Sequence, residues 1–186
     1  MGVHADALKV IAGWRPADPA QESLRQAYLG FLAAREDSCE RSCAAGHLTA
    51  SAVVLDGDKV LLTLHPRVGK WLQLGGHCEP TDETLVGAAL REATEESGID
   101  GLTIDPTPVH LDVHPITCSL GVPTRHFDVR FAVYAPEGAL PTISDESDDL
   151  RWWPISEVPN EQLTPMIDAA TSRGSREARN GVRAGA

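Results

Sequence analysis

Three carboxylates crowd one short stretch of this chain: Glu92, Glu95 and Glu96, within Arg91-Glu92-Ala93-Thr94-Glu95-Glu96-Ser97-Gly98-Ile99. On a helix, Glu92 and Glu96 stand one turn apart on one face, with Glu95 beside them. Like charges four residues apart destabilise a helix by about 0.2–0.5 kcal/mol. The helix dipole adds to the cost by disfavouring anions near the C-terminus. Arg91 is the only cation in the stretch to offset this. A solvated acidic face is one use for such a cluster. A cradle for a hard divalent cation is the other, because Mg²⁺, or Mn²⁺ in its place, takes oxygen ligands.

The surrounding pattern supplies elements to position these groups. A helix begins within 82–86 and ends at Ser97, with Gly98 as its stop and Val86, Ala89, Leu90 and Ala93 as its apolar face. Residues 48–55 and 59–65 read as strands joined by the turn Asp56-Gly57-Asp58. A loop carrying Trp71 leads to Leu74-Gly75-Gly76. Further strands are expected at 108–115, 125–135 and 150–153, and a last helix at 160–171. Leu24, Ala27, Tyr28, Phe31 and Leu32 make an apolar stripe on a helix over 19–36, which could pack on the chain's own sheet or on a second subunit of a homodimer. The expected division is an N-terminal helical extension over 1–47 packed on the domain, a domain over 48–171, and a disordered basic tail over 172–186. The order of elements predicts an α/β sandwich with a mixed sheet.

The segment Gly75-Gly76-His77-Cys78-Glu79-Pro80-Thr81-Asp82-Glu83 through Ile99 resembles the signature of the Nudix (MutT-like) hydrolase family. That pattern is Gly, five spacers, Glu, seven spacers, then Arg-Glu-apolar-x-Glu-Glu-x-Gly-apolar. Glu83, seven spacers and the run from Arg91 to Ile99 match throughout. Gly76 lies six spacers before Glu83, one more than the pattern.

The resemblance implies a Nudix-type α/β/α sandwich whose signature forms loop–helix–loop. It also implies Mg²⁺-dependent hydrolysis of a pyrophosphate bond in a nucleoside diphosphate derivative. Glu92 and Glu96 are then metal ligands, Glu95 a ligand or the acceptor of the water's proton, and Arg91 an orienting group paired with Glu83. The backbone carbonyl of Gly76 or of His77 completes the metal set. A further catalytic acid is expected from the acidic loop, with Glu146 first and Asp145 and Asp148 next. The same scaffold could also serve as a nucleotide-binding sensor or a diphosphate-ester isomerase, but the intact glutamates favour hydrolysis.

A second constellation lies outside the signature. Period two puts His110, Asp112 and His114 on one face of a strand, and His126, Asp128 and Arg130 on one face of another. If the strands pair, the six side chains share one polar surface. Such a surface can be solvated, line the substrate pocket, or bind a transition metal. Arg130, His126, Asp128, His110 and Asp112 are candidate substrate contacts, as is His77 in the signature loop. Trp71, Trp152 and Trp153 are placed either for core packing or for stacking on a base.

The formal net charge of −11 argues against a broad nucleic-acid-binding face. No apolar run is long enough to span a bilayer. Residues 1–15 lack a secretory pattern, so a cytoplasmic protein is expected, with Cys39, Cys43, Cys78 and Cys118 as free thiols. The expected partner is a nucleotide-type small molecule. An acidic body can bind such a polyanion when divalent cations stand between them.

Overall fold

The computed structural model describes residues 2–117, 121–144 and 147–183, with side chains through Gly174. Two helices come first, α1 (Val3–Gly13) and α2 (Pro19–Ala34). Strands β1 (His47–Asp56), β2 (Lys59–His65), β3 (Lys70–Leu72) and β4 (Leu74–His77) follow, then the signature helix α3 (Leu85–Ser97). Strands β5 (Thr103–Thr117), β6 (Pro123–Tyr134) and β7 (Asp149–Pro154) lead to α4 (Thr164–Arg183).

One mixed sheet holds all seven strands, ordered β3-β2-β1-β6-β5, with β4 paired to β1 and β7 to β2. The β1–β6 pair is parallel and the rest are antiparallel. β1 is the central strand: it pairs with β2 at one end, with β4 at the other, and with β6 along its length.

Strand alternation divides the sheet into two faces. One face presents Leu48, Ala50, Leu111, Val129 and Phe131 to α1, α2 and α3, through Ile11, Tyr28, Leu32, Leu85 and Ala89. The stripe on α2 is thus used within the chain: Phe31 stacks on Phe127 with centroids 4.2 Å apart, and Tyr28 meets the same ring edge-on. The opposite face presents Val53, Leu55, Val60 and Ala132 to Met166, Ile167 and Ala170 of α4. The rest of that face is polar and carries the second constellation.

Two differences from the sequence expectation have physical reasons. α1 was not anticipated: its N-cap is Gly2, with no side-chain cap to announce it, although Ala7 and Ile11 keep helical spacing into the core. The backbone of α4 is helical through Arg183, past the boundary at 171 where the disordered tail was expected. Arg173 ties the middle of that helix to Asp105 at 3.1 Å.

Candidate active site

The signature helix is held at both ends. Thr84 caps its start by accepting a hydrogen bond from the Gly87 N–H at 3.0 Å. Asp6 of α1 accepts another from the Leu85 N–H at 2.9 Å, so the N-terminal extension helps to place the helix. Gly98 ends it in the left-handed region at φ 62°.

Within this frame Glu92 and Glu96 both point at β4. Glu96 accepts a hydrogen bond from the Gly75 N–H at 2.7 Å. A Cβ on Gly76 would stand 2.7 Å from the carboxyl carbon and both oxygens of Glu92, so any side chain there would push that carboxylate from its place. Gly75 is confined from the other side: at φ 142° its Cβ would meet the Ser51 Cα at 2.5 Å. The double glycine therefore lets the β4 backbone pass between β1 and two carboxylates.

Arg91 organises the rest. Its guanidinium donates to both Asp82 oxygens at 3.2 and 3.0 Å, to Glu92 and Glu95 at 3.0 Å each, and to the His77 carbonyl at 3.0 Å. The expected Arg91–Glu83 pair is not formed. Asp82, five spacers after Gly76, takes that place, and Glu83 is exposed, with no ion pair among the described residues. The residue that exceeds the family pattern therefore lies after the paired carboxylate. Burial would raise the Asp82 pKa, but hydrogen bonds from Arg91 and from the Glu79 N–H hold it below the ordinary range. The hydrogen bonds to Asp82 likewise raise the pKa of Arg91.

Glu92 is buried, Glu96 half-buried and Glu95 exposed. The donor set that converges on Gly75–Gly76 is all hard oxygen, with the glycine opening keeping it clear. It fits Mg²⁺ or Mn²⁺, and not a soft metal.

The acidic loop is brought to this end of the molecule. The Thr142 N–H donates to the Ser97 carbonyl at 2.7 Å, and the Asp148 N–H to the Leu64 carbonyl at 3.1 Å. Asp145 and Glu146 lie outside the described residues, and the expectation for Glu146 with them.

The second constellation assembles as the pairing required. His110 stands opposite Arg130, Asp112 opposite Asp128, and His114 opposite His126. β1 adds His47, Thr49 and Ser51, and β4 adds His77. Asp128, 1% exposed, is the hub. It accepts hydrogen bonds from Thr49 at 2.9 Å, Ser51 at 2.6 Å, Gln73 at 3.2 Å and Arg130 at 2.8 Å. Arg130 is also buried and turns its remaining nitrogens to Asp112 at 3.1 Å and His110 at 3.3 Å. It therefore forms the floor of this surface, while half-buried His77, His110, Asp112, His114 and His126 line its accessible part. Gln73 and His47 were not among the sequence candidates; only strand register reveals them.

The tryptophans pack in the structure. Trp71 meets Trp153 edge-on at 5.2 Å, and the Trp152 indole donates to the Ala139 carbonyl at 2.9 Å. Cys39, Cys43 and Cys78 are free and buried, while Cys118 lies outside the described residues. No helix among the described residues is long and apolar enough to cross a membrane.

Comparison with known proteins agrees with this geometry. The family model of the NUDIX domain matches residues 46–172. Among solved structures, the MutT protein from Methanosarcina mazei superposes with a TM-score of 0.54 at 17% identity, covering 71% of this chain and 97% of that one. The dihydroneopterin triphosphate pyrophosphohydrolase of E. coli gives a TM-score of 0.52 at 22% identity, covering 65% and 92%. A NUDIX-family hydrolase from Clostridium perfringens gives 0.49 at 27% identity, covering 67% and 94%. No curated protein matches the chain. With the family model spanning most of the sequence, and with the arginine-organised glutamates seated on a double glycine, the chain belongs to the Nudix hydrolase family.

Proposed function

We propose that the chain hydrolyses a pyrophosphate bond in a nucleoside diphosphate derivative, with Mg²⁺, or Mn²⁺ in its place, held by Glu92, Glu96 and Glu95 and the Gly76 carbonyl. The observation that carries the reading is the convergence of Glu92 and Glu96 on the Gly75–Gly76 backbone. Bound there, a divalent ion neutralises pyrophosphate charge and lowers the pKa of a water.

The chain's own groups do the rest. Arg91 fixes the orientation of Glu92 and Glu95 while anchored by Asp82. It also occupies the His77 carbonyl, which favours Gly76 as the backbone ligand. Glu95, exposed and one turn beyond Arg91, is suited to accept the proton of the attacking water. The polar floor of Asp128 and Arg130, with His110 and Asp112 above it, receives the nucleotide portion of the substrate. The free thiols Cys39, Cys43 and Cys78 support action in the reducing cytoplasm.

The test is a panel of nucleotide sugars, dinucleoside polyphosphates, ADP-ribose and nucleoside triphosphates, incubated with the full chain and Mg²⁺. Release of a nucleoside monophosphate that stops with EDTA is expected for at least one class. Turnover that survives EDTA, or that persists in a Glu92→Gln/Glu96→Gln variant, would overturn the site assignment.

A further inference from the structure

Three histidines from three different strands meet on the polar face of the sheet. Strand register puts His47 of β1 beside His126 of β6, and it sets His77 of β4 across from Thr49, the next residue on that face of β1. Their ring centroids form a nearly equilateral triangle, with sides of 5.0, 5.0 and 4.9 Å. One ring nitrogen from each lies within 4.8 Å of the nitrogens offered by the other two.

Two of those nitrogens, His47 Nε2 and His77 Nε2, are only 3.1 Å apart. Nitrogens so close must share a proton or a cation. Two imidazoles bound tetrahedrally to one ion at about 2.0–2.1 Å stand roughly 3.3 Å apart, close to the spacing found here. The third ring has an unmet need of its own. Its Nε2 is buried and has no hydrogen-bond partner among the described residues, a cost that a bound ion would remove.

We propose that His47, His77 and His126 form a binding site for one transition-metal ion of the Zn²⁺ class, separate from the carboxylate site of α3. Imidazole suits Zn²⁺, Cu²⁺ or Ni²⁺ and not Mg²⁺, so the two sites select different ions. They are also on opposite faces of the sheet. Alternation along β4 turns Gly76 toward Glu92 and His77 away from it.

A further imidazole stands beside the triangle, outside the three nitrogens that converge. The His114 ring is 5.3 Å from that of His126, and its Nδ1 is engaged by Asp112 at 2.8 Å. A carboxylate behind a ring nitrogen in this way orients the other nitrogen for a metal.

The test uses the full chain, freed of metal by chelation, titrated with Zn²⁺ against a chromophoric chelator. One equivalent is expected to bind tightly. His126→Gln and His77→Gln should each weaken it at least ~100-fold. Both should keep the circular dichroism of the parent. The Glu92→Gln/Glu96→Gln and Cys39→Ser/Cys78→Ser variants should bind Zn²⁺ as the parent does, which separates this site from the carboxylates and from the thiols. An anomalous-scattering peak at the zinc edge between the three rings would confirm the position. Zn²⁺ binding that survives both histidine variants, that disappears with the carboxylates, or that is absent from the parent would overturn the proposal.

Discussion

The guanidinium of Arg91 is clamped by Asp82, with contacts of 3.0 and 3.2 Å to its two carboxylate oxygens. The next residue, Glu83, faces solvent. Arg91 in turn holds Glu92 and Glu95, so Asp82 positions the site through a neighbour. Asp82→Asn is therefore expected to lower stability by about 1–3 kcal/mol. Turnover should fall about tenfold through the loosened glutamates. Glu83→Gln should stay within about 0.5 kcal/mol of the parent. Urea unfolding and steady-state kinetics on the two variants decide which carboxylate is the anchor.

The same pair sets a dependence on acid. The folded-state pKa of Asp82 lies below its ordinary 3.8, so its contribution to stability is present above that value and is lost as pH falls through the folded one. The stability gap between the parent and Asp82→Asn should be constant above about pH 5 and close below about pH 4. A gap that widens on acidification would show that the sign is wrong.

Adding a methyl group at the two signature glycines should separate folding from chemistry. Gly75→Ala forces a Cβ onto the Ser51 backbone at 2.5 Å and is expected to cost about 3 kcal/mol or more. Gly76→Ala meets only the mobile end of Glu92. It should fold with a loss of roughly 1 kcal/mol yet reduce kcat about 100-fold, because the carboxylate must swing aside. Thermal melts alongside kcat values distinguish the two.

Glu96→Gln keeps an oxygen for the Gly75 N–H but removes the charge. The protein should stay folded while turnover drops at least ~100-fold. A near-parental rate in that variant would remove Glu96 from the metal set.

On the other face, Asp128→Ala takes four donors' acceptor away and leaves the buried Arg130 with Asp112 alone as a carboxylate partner. A loss of about 3 kcal/mol is expected in chemical denaturation. Asp128→Asn should lose less, because the amide oxygen still accepts from Thr49 and Ser51.

Much of this was legible in residue spacing. The glutamates of α3 and its Gly98 stop follow from helical periodicity, and the alternating polar sets of β5 and β6 follow from period two. What escaped depended on register or on contacts distant in the chain. Asp82 and Glu83 are adjacent acids, and only the turn before α3 decides which one faces Arg91. His47 shares no periodic set with the other histidines, and it joins them only because β1 lies parallel to β6 and antiparallel to β4. The short strands β3 and β4 lack any apolar alternation of their own and exist by pairing with longer neighbours.

β5 ends the sheet, and its outer rim is sealed at Leu111. The Gln21 amide accepts from the Leu111 N–H at 2.7 Å and donates to its carbonyl at 3.0 Å, imitating one residue of a neighbouring strand. A second copy cannot extend the sheet there without first evicting that side chain. The amino-terminal helices thus act as a guard against edge-to-edge polymerisation, and any self-association must recruit a different surface.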